Sequence, residues 1–229
     1  MIDTIHLSTQ FDEDLERLRS RVLEMGGLVE SQINMTTTAY ADNNSAAVLD
    51  VLENDRDVNT FEKIIDDDLI HVIAKRQPTA SDLRLVMAIS KMVTDLERSG
   101  DEIKKMAKSI RRIQERDVTI LKATTDVRHL ADAASKQIRS ALDTFARLDA
   151  TEARTVIDAD EALDKEFKSI VRQLITYMME DPRSITTAMD IITIARAIER
   201  VGDHAKNIAE QVIYIVEGRD VRHTSDNES

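Results

Sequence analysis

Apolar residues recur three and four positions apart along almost the whole chain, a spacing that only an α-helix gathers onto one face. Leu15, Leu18, Val22, Met25 and Val29 mark the buried face of a first helix ending near Ala41. Asn43-Asn44 is a turn signal, and a second helix runs to about Ala74. Gln77-Pro78 breaks it, and Ser81 or Thr79 can cap a third helix reaching about Gln114. With five Gly, two Pro and 3% aromatics in 229 residues, little is left over for anything but helices and short turns.

The pattern then starts again. Val127, Leu130, Ala134, Ile138, Ala141, Phe145 and Leu148 form one stripe, and Val156, Leu163, Phe167, Ile170, Leu174 and Tyr177 the next. Asp181-Pro182 interrupts, and a last helix runs to Gly218. Residues 97–108 (ERSGDEIKKMAK) and 199–210 (ERVGDHAKNIAE) agree at six of twelve positions, which points to an internal duplication. The expected fold is all-α: two pseudo-symmetric antiparallel three-helix bundles over 8–115 and 116–217, then a polar tail at 218–229. No Gly/Ser-rich linker separates the halves, so they should pack rigidly together.

Charge narrows the function. Lys and Arg number 31 against 43 Asp and Glu, a net charge of -12, which argues against general nucleic-acid binding. Lacking Cys, the chain offers no disulfide, thiolate metal site or Cys nucleophile. The polar, acidic stretch from Met1 to Ser20 does not look like a signal peptide. The longest apolar runs, such as Leu85–Ile89 and Val212–Val216, are far too short to span a bilayer. A soluble, cytoplasmic protein without direct membrane insertion is expected.

Carboxylates interrupt the apolar stripes at matching places. Asp55 fills the gap between apolar positions 51 and 58 in the second helix, and Asp160 the gap between 156 and 163 in the fifth. Burying such a group unpaired costs several kcal/mol, so something should compensate it. Glu97 and Asp101 share one face of the third helix beside Gly100; Glu199 and Asp203 repeat this beside Gly202. A glycine in the seam, at a cost of about 1 kcal/mol, lets two helices approach closely. Asn59 and Asp164 complete two ridges of oxygen donors in each half.

Oxygen-only clusters suit hard cations such as Mg²⁺, Mn²⁺ or Ca²⁺, or iron. With 43 acids in 229 positions, acid pairs four apart also arise repeatedly by chance on solvated faces. Two copies at the same place in two repeats, each facing an acid inside a stripe, carry more weight. Arg98 and Arg200 could neutralise neighbours such as Glu102, and His204 beside Asp203 is a candidate accessory ligand, although both positions suit ordinary surface pairing. His71 and His129 stand in Asp-x-x-His; no Glu-x-x-His occurs, which disfavours a di-iron oxidase. A His phosphotransfer bundle remains an alternative for these two residues. Met178 and Met179 suit a core or an interface. There is no glycine-rich phosphate loop and no Gly-x-Ser-x-Gly, so an enzyme is not expected.

The chain resembles the PhoU family through MGGLVE at 25–30, AKRQPTASDLRLVM at 74–87, ERSGD at 97–101, RQLITYMMED at 172–181 and ERVGD at 199–203. The resemblance spans roughly 8–223 and implies a PhoU-like pair of three-helix bundles carrying metal ions, of a kind such as Mg, Mn, Fe or Zn. The implied ligands are Asp55, Asn59, Glu97 and Asp101 in the first half, and Asp160, Asp164, Glu199 and Asp203 in the second. Asn59 departs from the acidic pattern, so the first half should bind metal more weakly. The resemblance further implies a homodimer and negative regulation of the phosphate-starvation response. In that role the protein links the ATPase subunit of the phosphate ABC transporter to a membrane sensor histidine kinase and restrains uptake. A carboxylate-bridged metalloprotein with hydrolytic activity is the alternative.

Overall fold

The computed structural model describes residues 9–116 and 124–221. They form α1 (Thr9–Ala41), α2 (Ser45–Arg76), α3 (Ala80–Gln114), α4 (Thr124–Arg147), α5 (Ala150–Glu180) and α6 (Ile185–Glu217), with a 3-10 turn at Pro182–Ser184. The described residues contain no strand, as the periodicity requires.

Local chemistry sets the helix ends. Asn43 takes a positive φ of 51° and Asn44 caps α2, its side chain accepting the Ala47 N–H at 3.2 Å. Gln77, left-handed ahead of Pro78, closes α2 two residues later than expected. Asp149 caps α5 by accepting the N–H groups of Thr151 and Glu152, both at 3.0 Å. Gly218 ends α6 at φ 69°. The cap expected of Thr79 or Ser81 does not form: Thr79 holds the N-cap position of α3, but its hydroxyl donates to the Asp82 carboxylate at 2.9 Å. Ser81 lies inside the helix. The tail beyond 221 lies outside the described residues.

Each half is a three-helix bundle, and the packing pattern repeats under exchange of α1, α2, α3 for α4, α5, α6. Two seams join the halves, α1 on α4 and α3 on α6, while α2 and α5 pack only within their own bundles among the described residues. The first seam is antiparallel: Arg19 donates to the Ala146 carbonyl, Gly26 lies under Leu142, and Arg139 pairs with Glu30. In the second, Arg112 and Arg116 from the end of α3 hold Asp190 near the start of α6, at 2.6 and 2.5 Å. One hydrophobic core therefore runs through both halves, with Tyr40, Met25 and Leu18 at one side and Phe145, Ile138 and Ile208 at the other all fully buried. Each such side chain contributes about 1.5–3 kcal/mol relative to exposure. None of the described helices is long and apolar enough to cross a membrane.

Candidate functional site

The α5/α6 pair positions the second carboxylate group. Asp160 and Asp164 lie one turn apart on α5, Glu199 and Asp203 one turn apart on α6, and all four interact electrostatically. Lysines and an arginine already engage three of them. Lys206 donates to Asp160 at 3.0 Å, Lys168 to Asp164 at 2.8 Å, and Arg196 to Glu199 Oε1 at 3.0 Å. The Arg196 guanidinium is itself fixed by lying 4.3 Å over the Phe167 ring. Glu199 Oε2 is buried and has no hydrogen-bond partner.

These surroundings split the acids. Burial, then the neighbouring Asp203, pushes the Glu199 carboxyl above its ordinary value despite Arg196. Asp203 reaches solvent but stands over packed protein; that desolvation, then Asp160, raises it likewise. Asp164 moves the other way, held down first by its hydrogen bond from Lys168. The compensation expected for an acid inside the Asp160 stripe is thus Lys206, one turn beyond the α6 motif.

The donor set fits a hard cation by residue type, because every ligand is an oxygen and one buried carboxylate oxygen is orphaned. In this conformation no three of the described His, Asp and Glu residues converge closely enough to hold an ion, so binding would require the three cationic side chains to swing aside.

The first group, on α2 and α3, is built differently. Asp55 has its side chain outside the described residues; Asn59 and Glu97 are half-buried and Asp101 is exposed. Sequence reasoning missed Glu62, which burial, then Asp66, and finally Asp101 raise above its ordinary value, with Lys63 opposing. It lies three residues after Asn59 on the same helix face, a spacing that could have revealed it. Phe167 occupies the corresponding place in the second half, and Thr94 stands where that half has Arg196.

The two motif glycines are not equivalent. A Cβ on Gly202 would meet Gln137 Oε1 and Leu163 Cδ2, both at 3.0 Å, whereas one on Gly100 would meet only Val58 at 3.4 Å. Gln137 is buried and pinned by its bond to the Val156 carbonyl. Gly202→Ala is therefore expected to lower stability by about 1 kcal/mol net of propensity, and Gly100→Ala to raise it by up to about 1 kcal/mol. Thermal unfolding of the two variants in parallel tests this; a rise in both would show that Gln137 yields freely.

Other candidates settle elsewhere. Glu102 is held by Lys105 and, across the α3/α6 seam, by Arg200 at 3.3 Å rather than by Arg98. His204 turns from the carboxylates to Asp95, Nδ1 to Oδ1 at 2.9 Å, where Asn207 also donates at 2.9 Å. It is a tie between the halves, so an accessory-ligand role is not supported. His71 and His129 are exposed. Met178 packs against the core, but Met179 is 80% exposed.

A family profile described as the PhoU domain matches twice, at residues 22–110 and 127–212. The chain is 47% identical over 220 residues to a Pseudomonas putida phosphate-specific transport system accessory protein PhoU homolog, covering 96% of this chain and 86% of the relative. It is 41% identical to the Escherichia coli K12 phosphate-specific transport system accessory protein PhoU, covering 97% and 92%. The crystal structure of PhoU from Pseudomonas aeruginosa superposes with a TM-score of 0.88 at 45% identity, covering 91% of this chain and all of that one. That of the Streptococcus pneumoniae phosphate transport system regulatory protein PhoU gives 0.84 at 25% identity, covering 92% and 99%.

Proposed function

Because this chain belongs to the PhoU family, we propose that it is a non-enzymatic regulator of phosphate homeostasis. The observation that carries the reading is the nearly full-length match to proteins named as phosphate transport accessory proteins. In this role it works in the cytoplasm, at the inner face of the membrane through its partners. As a homodimer it links the ATPase subunit of the phosphate ABC transporter to the phosphate-sensing histidine kinase, repressing the starvation response and modulating uptake. The double seam supports such docking, because packing of α1 on α4 and of α3 on α6 joins the halves along two lines and so relates their outer faces. Residues 8–115 and 116–217 act as the two repeats and 218–229 as a tail.

Asp160, Asp164, Glu199 and Asp203 are the residues that would hold a divalent or trivalent metal in the second half; Asp55, Asn59, Glu97 and Asp101 are their counterparts in the first. A bound ion would supply positive charge that neutralises the crowded carboxylates and ties α5 to α6, or α2 to α3.

Deleting the gene is expected to release phosphatase expression in phosphate-rich cells; unchanged repression would overturn the regulatory reading. Elemental analysis of protein purified without chelators or a metal-affinity tag should find metal. That metal should fall in the Asp160→Ala, Asp164→Ala, Glu199→Ala, Asp203→Ala variant. Metal-dependent hydrolysis abolished by Asp160→Ala and Glu199→Ala would instead favour an enzyme.

A further inference from the structure

On the outer side of the first bundle, α2 and α3 leave a groove of about 220 Å³ lined by Leu69, Ile70, Ile73, Val86 and Met87, with Asp66 and Ser90 at one end. Ile70 is 65% exposed and Met87 46%. The groove has an apolar end toward the α2–α3 turn and an acidic end at Asp66, one helical turn from Glu62, on which Asp66 and Asp101 both act. The second bundle repeats the pattern. The register that places Asp55 on Asp160 places Ile70 on Ile175, and the one that places Glu97 on Glu199 places Met87 on Met189, both likewise exposed. Farther along α5 and α6 come Asp164, Glu199 and Asp203.

We propose that the α2/α3 groove docks an amphipathic helix of a partner protein, with apolar anchors over Ile70, Ile73 and Met87 and Lys or Arg residues at the end that reaches Asp66 and Glu62. The inference rests on the docking role proposed above and names the chemistry of the partner. Two antiparallel helices with an apolar cleft receive a third through residues at i, i+3, i+4 and i+7. Charge selects the occupant. Asp66 and Glu62 gain from an added cation, with Lys63 offsetting only part of their charge, whereas a second copy of a chain with net charge -12 brings more of the same sign. In the second half Lys168 and Arg196 already engage the acids, so a cationic helix should favour the first groove.

The test uses the full chain and a fluorescein-labelled helical peptide of about 20 residues, with leucines at that spacing and lysines in its last two turns. Fluorescence anisotropy should show micromolar binding that weakens with salt. It should weaken at least tenfold in Ile70→Ser/Met87→Ser, and about threefold in Asp66→Asn. Because Ile70 and Met87 are exposed, these variants should keep the wild-type melting temperature, which circular dichroism checks. Equal binding by wild type and Ile70→Ser/Met87→Ser, or equal binding of a peptide with glutamates for lysines, would overturn the proposal. So would loss of binding only in Ile175→Ser/Met189→Ser. A wild-type dimer that sediments as a monomer in Ile70→Ser/Met87→Ser would assign the groove to a second copy and overturn it too. Unchanged phosphatase repression on gene deletion would remove the regulatory reading while leaving a positive peptide result standing.

Discussion

Alanine at Gly26 is expected to destabilise the protein by about 1–3 kcal/mol, while alanine at Gly27, one residue on, stabilises it by up to about 1 kcal/mol. Both substitutions gain the same helix propensity, so the difference isolates what the new methyl group meets. At Gly26 it would stand 2.5 Å from both terminal carbons of Leu142, which is buried in the α1/α4 seam; at Gly27 it would meet nothing within 4 Å. Leu142 has little room to retreat, because α1 and α4 are held on either side by the Arg19–Ala146 and Arg139–Glu30 contacts. Leu142→Ala alone should cost about 2–5 kcal/mol. Combined with Gly26→Ala it should cost less than the sum of the two, by about 1 kcal/mol or more, because the new methyl occupies part of the space vacated. Urea unfolding followed by circular dichroism gives all four values. Equal stabilisation at both glycines would mean that the seam is loosely packed.

The second large effect concerns charge. In chelator at neutral pH, Glu199→Gln/Asp203→Asn should raise the melting temperature, because burial and mutual repulsion push both carboxyls up from 4.5 and 3.8. A carboxyl whose folded value is raised carries its full penalty above that value. The penalty shrinks as pH falls through it and vanishes below the unfolded value. Wild-type stability should therefore improve as pH falls through the raised values toward 4.5 and 3.8, and the double variant should lack that improvement. Asp164 acts with the opposite sign, its Lys168 bond being lost only as pH falls through a value below 3.8, so the two effects occupy different windows. Adding Mg²⁺ or Mn²⁺ at about a hundredfold excess over its dissociation constant should stabilise the wild type by about 2.7 kcal/mol. The variant should gain nothing from the same ion in the second half. A lower melting temperature for the chelated variant, or an undiminished response to metal, would show that these acids serve packing rather than ion binding.

How much of this could be read from the residues alone depends on what periodicity encodes. Leu15, Leu18, Val22 and Met25 announce a helix and its buried face, because a 3.6-residue turn leaves no other way to gather them. All six helices, the turns at Asn43-Asn44 and Asp181-Pro182, the duplication and the Asp160/Asp164 and Glu199/Asp203 ridges are legible in this way. Periodicity says which face is covered and is silent about what covers it. The pairing of α1 with α4 and α3 with α6, which turns two bundles into one core, depends on partners more than a hundred residues apart, such as Gly26 with Leu142 or Asp95 with His204. The engagement of Asp160 by Lys206 and the approach of Glu62 to Asp101 belong to the same class, since helix spacing is local and the charge around a carboxylate is set by whatever the fold brings beside it. Met179 makes the point in reverse: its apolar side chain suits a core, yet it stands on the outward face of α5, 80% exposed, while its neighbour Met178 packs against the core.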